Sequence, residues 1–138
     1  MTIQLSPASQ SIAGVVLLTI VTIEFGGWFL TKIARGDVPI TQFQKNFARA
    51  GHAHAGVLVT LGLICLVLAD ATALEGFAGY VARAGVPFAA ILMSAGFFAS
   101  SAGRGEVTRP NKLFALVWLG ALSLAAGVLT LGIGLLTT

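Results

Sequence analysis

The chain has 138 residues, 57% apolar and 9% charged, with a mean hydropathy of +0.94 and a net charge of +3. A soluble domain carries about 25% charged residues, so this composition excludes a soluble enzyme, a disordered segment and a nucleic-acid-binding module. A single cysteine, Cys65, excludes an intrachain disulfide and a Cys-rich metal site.

A helix needs about 20 mostly apolar residues to cross the hydrocarbon core of a bilayer. Four stretches meet that length, and the sequence predicts spans over 12–34, 46–69, 84–103 and 111–136 of one domain covering 1–138. They are apolar on every side, whereas barrel strands would alternate. The expected fold is therefore all-α, an integral membrane four-helix bundle. The N-terminal Met1-Thr-Ile-Gln-Leu-Ser-Pro7 lacks a basic segment, so the first span reads as a retained helix and not a signal peptide.

The first span holds one charge, Glu24, and Trp28 towards its end. Gly36-Asp-Val-Pro39 then breaks the helix. Thr41 to Arg49 reads as an interfacial first turn of the second helix, with Phe43 and Phe47 at headgroup depth and Lys45 and Arg49 in water. The second span contains both histidines and Cys65, and the third contains Met93 and Ser94. The connection between them holds Asp70, Glu75, Tyr80 and Arg83. Thr108-Arg-Pro-Asn111 opens the fourth helix, with Pro110 suited to its first turn. Arg104 and Glu106 can pair in the loop before it, though a solvated loop is the simpler expectation.

Seven of the eight basic residues, Lys32, Arg35, Lys45, Arg49, Arg104, Arg109 and Lys112, lie in the first and third connections. The positive-inside rule makes those connections cytoplasmic and both termini extracytoplasmic. Small residues four apart, Gly51 and Ala55, Gly96 and Ser100, Ala99 and Gly103, and Ser123 and Gly127, mark expected helix contacts.

Ionisable groups inside a membrane are costly and usually functional, which singles out Glu24, His52 and His54. At 1.5 Å per residue, Glu24 lies roughly 12 Å along its helix from Lys32, and the histidines roughly 5 and 8 Å in from Arg49. A meeting of Glu24 with the histidines is geometrically open. Glu24 reads either as a carboxyl hydrogen-bonded to a neighbouring helix, or as a proton carrier, metal ligand or orienter of a histidine. His52 and His54 stand about 200° apart around a helix and point to nearly opposite faces. Chelation of one ion on a helix uses residues four apart, so opposed histidines serve two partners. Neutral imidazole also suits iron ligation, and Gly51 and Gly56 would let a flat macrocycle or another backbone come close. Cys65, deep in an apolar run, reads as an inert small hydrophobe.

Gly51-His-Ala-His-Ala-Gly56, followed by Val57-Leu-Val-Thr-Leu-Gly62, resembles the H-x-H helix of heme-copper oxidase catalytic subunits and their nitric oxide reductase relatives. The resemblance covers about a dozen residues. It implies His52 as ligand of a high-spin heme and His54 as ligand of a low-spin heme. Those subunits have twelve spans and further histidines, whereas this chain has two histidines, so copper chemistry is not implied. A six-coordinate heme would need Met93, a second subunit or an open position. The whole chain, with Phe47-Ala-Arg-Ala-Gly-His-Ala-His-Ala-Gly56 and Gly103-Arg-Gly-Glu-Val-Thr-Arg-Pro-Asn-Lys112, also resembles small four-span bacterial membrane proteins. That resemblance implies the bacterial cytoplasmic membrane and no particular activity. The length, the spans and the basic first loop are similar to the MAPEG family of membrane enzymes. However, Ala53 and Gly56 occupy the Asn and Glu positions of that family's Arg-x-x-x-Asn-x-x-Glu signature.

These readings lead to an intramembrane site at His52 and His54, with Glu24 or Met93 as further ligands, binding heme or a transition metal. The chain would act within a homo-oligomer or as a small subunit of a larger membrane complex in the bilayer. An oligomeric proton or small-solute channel, a purely structural accessory subunit and a MAPEG-like transferase are the alternatives. Whether any catalysis occurs stays open at this point.

Overall fold

A computed structural model describes residues 4–137. Met1 to Ile3 of the N-terminal segment read above, and Thr138, lie outside it. The described chain is helical with no strand: α1 (Pro7–Arg35), α2 (Gln42–Ala69), α3 (Gly76–Ser100) and α4 (Ala115–Leu136), the last preceded by one 3-10 turn over Lys112–Phe114. All four helices are long and apolar enough to cross a membrane.

Several helix ends have a local cause. Ser6 caps α1 by accepting from the Ser9 amide, and Pro7 takes a first-turn position where its missing N–H is no loss. Gly36, in the left-handed region at φ 80°, closes α1, and its amide donates back to the Lys32 and Ile33 carbonyls. Thr41 and Gln44 form a reciprocal capping box at the start of α2. Asn111 accepts from the Leu113 amide and caps the 3-10 turn.

Several expected boundaries shift. α1 begins at Pro7 and not at 12, and α2 begins at Gln42 and not at 46, because the caps lie in polar sequence ahead of the apolar runs. α3 begins at Gly76 and not at 84, and ends at Ser100 and not at 103. Arg83 is therefore inside α3 and not in a connection. The helix tolerates it because Asp70 pairs with it, Nη2 to Oδ1 at 2.8 Å. Pro110 precedes the cap and is not in a first turn.

α3 is the centre of the bundle, packed on α4 and on α2, while α1 lies mainly on α2 and barely meets α3. Glycines make the close approach on α3 possible. A Cβ at Gly85 would stand 2.7 Å from the Gly127 Cα, and the Ser123 hydroxyl donates to the Gly85 carbonyl at 2.8 Å. Gly96 receives Val117, Gly120 receives Met93, and Gly62 of α2 receives the Pro87 ring. Ser123, Gly127, Gly96 and Gly51 of the small-residue pairs thus lie at helix contacts.

Both ends of the bundle are tied by polar groups. At one end Gln44, buried, donates from Nε2 to the carbonyls of Ser101 (2.9 Å) and Gly103 (3.3 Å), and the Thr41 hydroxyl donates to the Val107 carbonyl at 2.6 Å. At the other end the Ser6 amide donates to Asp70 Oδ2 at 2.8 Å, and Arg83 Nε donates to Ser9 Oγ at 3.2 Å. Arg83 also donates to the Gly79 carbonyl at 3.1 Å. Arg83 and Asp70 are the one ion pair among the described residues, so Arg104 and Glu106 do not pair.

Candidate functional site

His52 and His54 sit two turns or more into α2 and face different neighbours, as the 200° separation requires. His52 turns to α1. Its ring lies over the Gly26-Gly27 backbone, where a Cβ at Gly26 would stand 3.3 Å from Nδ1 and one at Gly27 would stand 3.3 Å from Cε1. The glycine pair is thus a notch cut for an imidazole. Two adjacent glycines weaken a helix interior, so their presence has to be explained by close approach. That signal was readable in the sequence and was missed.

His54 turns to α3. Its ring lies against Phe97 with centroids 4.9 Å apart. Its Nδ1 is 2.7 Å from the Ala50 carbonyl oxygen, and a carbonyl only accepts, so Nδ1 carries the proton and donates. The neutral ring then presents its lone pair on Nε2. This is the arrangement by which an outer hydrogen bond fixes the tautomer and the orientation of a ligating histidine. Phe97 belongs to an aromatic group with Phe47 and Phe114, and Phe47 also meets Phe43 at 4.2 Å. Phe47 therefore turns towards α3 and the start of α4.

The other candidates lie elsewhere. Glu24 is exposed on the flank of α1 and makes no hydrogen bond with either histidine or with any other described residue. Met93 is buried in the α3–α4 seam, where its Cγ fills the space over Gly120. Cys65 is buried in the core. Of the two glycines expected to admit a macrocycle, Gly51 is filled by Phe97 and Phe98, so it serves helix packing instead. Gly56 has open space around it. It belongs with His52, Ala53, Val57 and Thr60 to a groove of about 570 Å³ along α2.

Among the described residues no three His, Cys, Asp or Glu side chains gather where they would hold a metal ion. A bare transition metal ion takes three or four protein ligands. A heme brings four nitrogens of its own and needs one or two axial side chains. The two imidazoles lie against different neighbours, His52 against α1 and His54 against α3, so they do not converge on one ion. The chain matches no protein-family model, no curated protein and no solved structure.

Proposed function

We propose that this chain is a heme-binding integral membrane subunit in which the α2 histidines supply axial ligands. The observation that carries the reading is the Nδ1 hydrogen bond of His54 to the Ala50 carbonyl, which leaves Nε2 as the ligating atom. His52, which makes no hydrogen bond among the described residues, is the second candidate, beside the groove that Gly56 leaves open. Bound heme would supply iron redox or ligand chemistry. The chain's own part would be to set the imidazole orientation and to keep the surroundings apolar. The distribution of bases supports an orientation with both termini outside, and the resemblance to small four-span bacterial membrane proteins implies the bacterial cytoplasmic membrane; both belong to this proposal. Glu24, exposed within a span and without a partner among the described residues, favours a second subunit or a larger complex against α1.

The test is an absorption spectrum of the purified chain after supplementation with hemin, oxidised and dithionite-reduced. A Soret band that His54→Ala removes or shifts supports the proposal. A spectrum identical to free hemin, or one unchanged in both His52→Ala and His54→Ala, overturns it.

A further inference from the structure

A cleft of about 650 Å³ separates α1 from α3, with Ala55 and Val59 of α2 as its floor. It is open sideways because α1 leans on α2 and hardly touches α3. Its walls are almost entirely carbon, and no Arg, Lys, Asp, Glu or His lines it. Thr19 and Thr22 face it, but their hydroxyls donate at 2.6 Å to the Val16 and Thr19 carbonyls of their own helix. The Ser94 hydroxyl, at one end, is buried without a partner among the described residues.

Shape and position narrow the occupant. From Ser11 to Ile23 the cleft runs roughly 18 Å along α1, and from Tyr80 to Ser94 roughly 21 Å along α3. One leaflet of hydrocarbon is about 15 Å deep. The end at Ser11 and Tyr80 lies next to the polar cluster of Ser9, Asp70 and Arg83, groups that favour the water-facing end of a span. There Tyr80 is exposed, as an interfacial tyrosine is. The length of the cleft is thus comparable with the depth of one leaflet, and its lining is apolar throughout. An empty slot of this size would forfeit dispersion contacts along its whole lining, and the fluid around it is hydrocarbon.

We propose that the cleft seats one acyl chain of a phospholipid from the leaflet at the Pro7 end of α1. The headgroup lies beside Ser11 and Tyr80, and the chain end points to Ser94. This site is separate from the histidines and does not depend on heme.

The test uses the full chain in nanodiscs containing phosphatidylcholine with a diazirine at the end of one acyl chain, followed by irradiation and peptide mapping. Exposed residues such as Leu18 and Leu122 are labelled by any surrounding lipid. Val16, Val59 and Ala90, all under one-tenth exposed, are reached only from within the cleft. Adducts are expected at Val59 and Ala90, nearer the Ser94 end, with fewer at Val16, and Ala84→Phe at the mouth lowers their yield about tenfold with labelling of Leu18 and Leu122 unchanged. Adducts confined to outward-facing residues overturn the proposal, and so does a cross-linked dimer formed through the cleft. If Ala84→Phe does not fold, Ser94→Phe obstructs the inner end, and the wild-type map decides in either case.

Discussion

The Arg83 guanidinium lies on the Asp70 carboxylate, with Nη2 2.8 Å and Nε 3.1 Å from the same oxygen, Oδ1. The two side chains are 15% and 6% exposed, so the pair is largely desolvated. It joins α3 to the end of α2, and through Ser6 and Ser9 it also holds the start of α1. Breaking a buried pair by removing one partner strands the other charge, which costs about 3–5 kcal/mol. Asp70→Ala and Arg83→Ala are each expected to lower the melting temperature in detergent micelles. The double variant Asp70→Leu with Arg83→Leu is expected to recover a large part of the loss. Full loss in the double variant would mean that the hydrogen bonds to Ser6, Ser9 and Gly79, and not the charges, hold this end.

The same pair gives the protein an acid limit. Burial raises the Asp70 pKa, but the Ser6 amide, Arg83 and the two serine hydroxyls outweigh it and hold the carboxyl below its usual range. A carboxyl depressed in the folded state contributes stability that is fully present above its unfolded pKa. That stability is lost as pH falls through the folded value. The melting temperature should therefore be flat above about pH 5 and fall below about pH 4. Asp70→Asn should remove that part of the pH dependence. An unchanged acid limb in Asp70→Asn would assign it to another carboxylate.

Gln44 is the counterpart at the other end of the bundle. Its amide nitrogen satisfies the Ser101 and Gly103 carbonyls, while its oxygen accepts from the Thr41 amide at 3.0 Å. Gln44→Glu keeps the acceptor and loses the donor. Gln44→Ala leaves the Ser101 carbonyl unpartnered, a loss of about 1–3 kcal/mol. Both variants should destabilise, and the glutamate should not rescue. Hydrogen exchange at the residues around 101–103 would report the loosening, and equal protection in Gln44→Glu would refute the donor role.

Much of this architecture was legible in the sequence because lipid imposes it. Four long apolar runs, their number and the small residues at their contacts follow from the need to satisfy every backbone group inside a helix. Helix ends were less legible. The beginning of α3 hid behind Arg83, since a charge reads as loop until its partner is known, and nothing in the sequence pairs it with Asp70. The opposed histidines followed from helical geometry alone, and they do face different helices. What each faces did not follow, because Gly26, Gly27 and Phe97 become neighbours only through packing. Glu24 was grouped with the histidines by depth, yet depth does not fix the rotation of a helix, and α1 turns this side chain outward.

Glu24 has no partner among the described residues, so Glu24→Gln should leave the thermal stability of the isolated protein unchanged or raise it. A carboxylate at the centre of a span costs about 2.5–3.5 kcal/mol on insertion scales, and the amide costs less. Melting curves in micelles and assembly size in nanodiscs separate the outcomes. A destabilised, smaller assembly would show that Glu24 is held by a second subunit.

His52 rests in a notch on α1 formed by Gly26 and Gly27. Nothing larger than glycine fits at position 27 without the ring moving, since a Cβ there already meets Cε1 at 3.3 Å and Nε2 at 3.6 Å. Gly27→Val adds two further methyl groups in that direction. The variant should push the imidazole off α1 and loosen the α1–α2 seam, with a stability loss of about 1–3 kcal/mol. His54 sits on the far side of α2, held by Ala50 and Phe97, and should not respond. Nitrogen chemical shifts of labelled histidines measure the two rings separately. A moved His52 resonance beside an unmoved His54 resonance would show that the faces of α2 are independent, as two separate axial positions require. Concerted movement of both would mean that α2 shifts as a body, and each histidine variant would then disturb the other's environment.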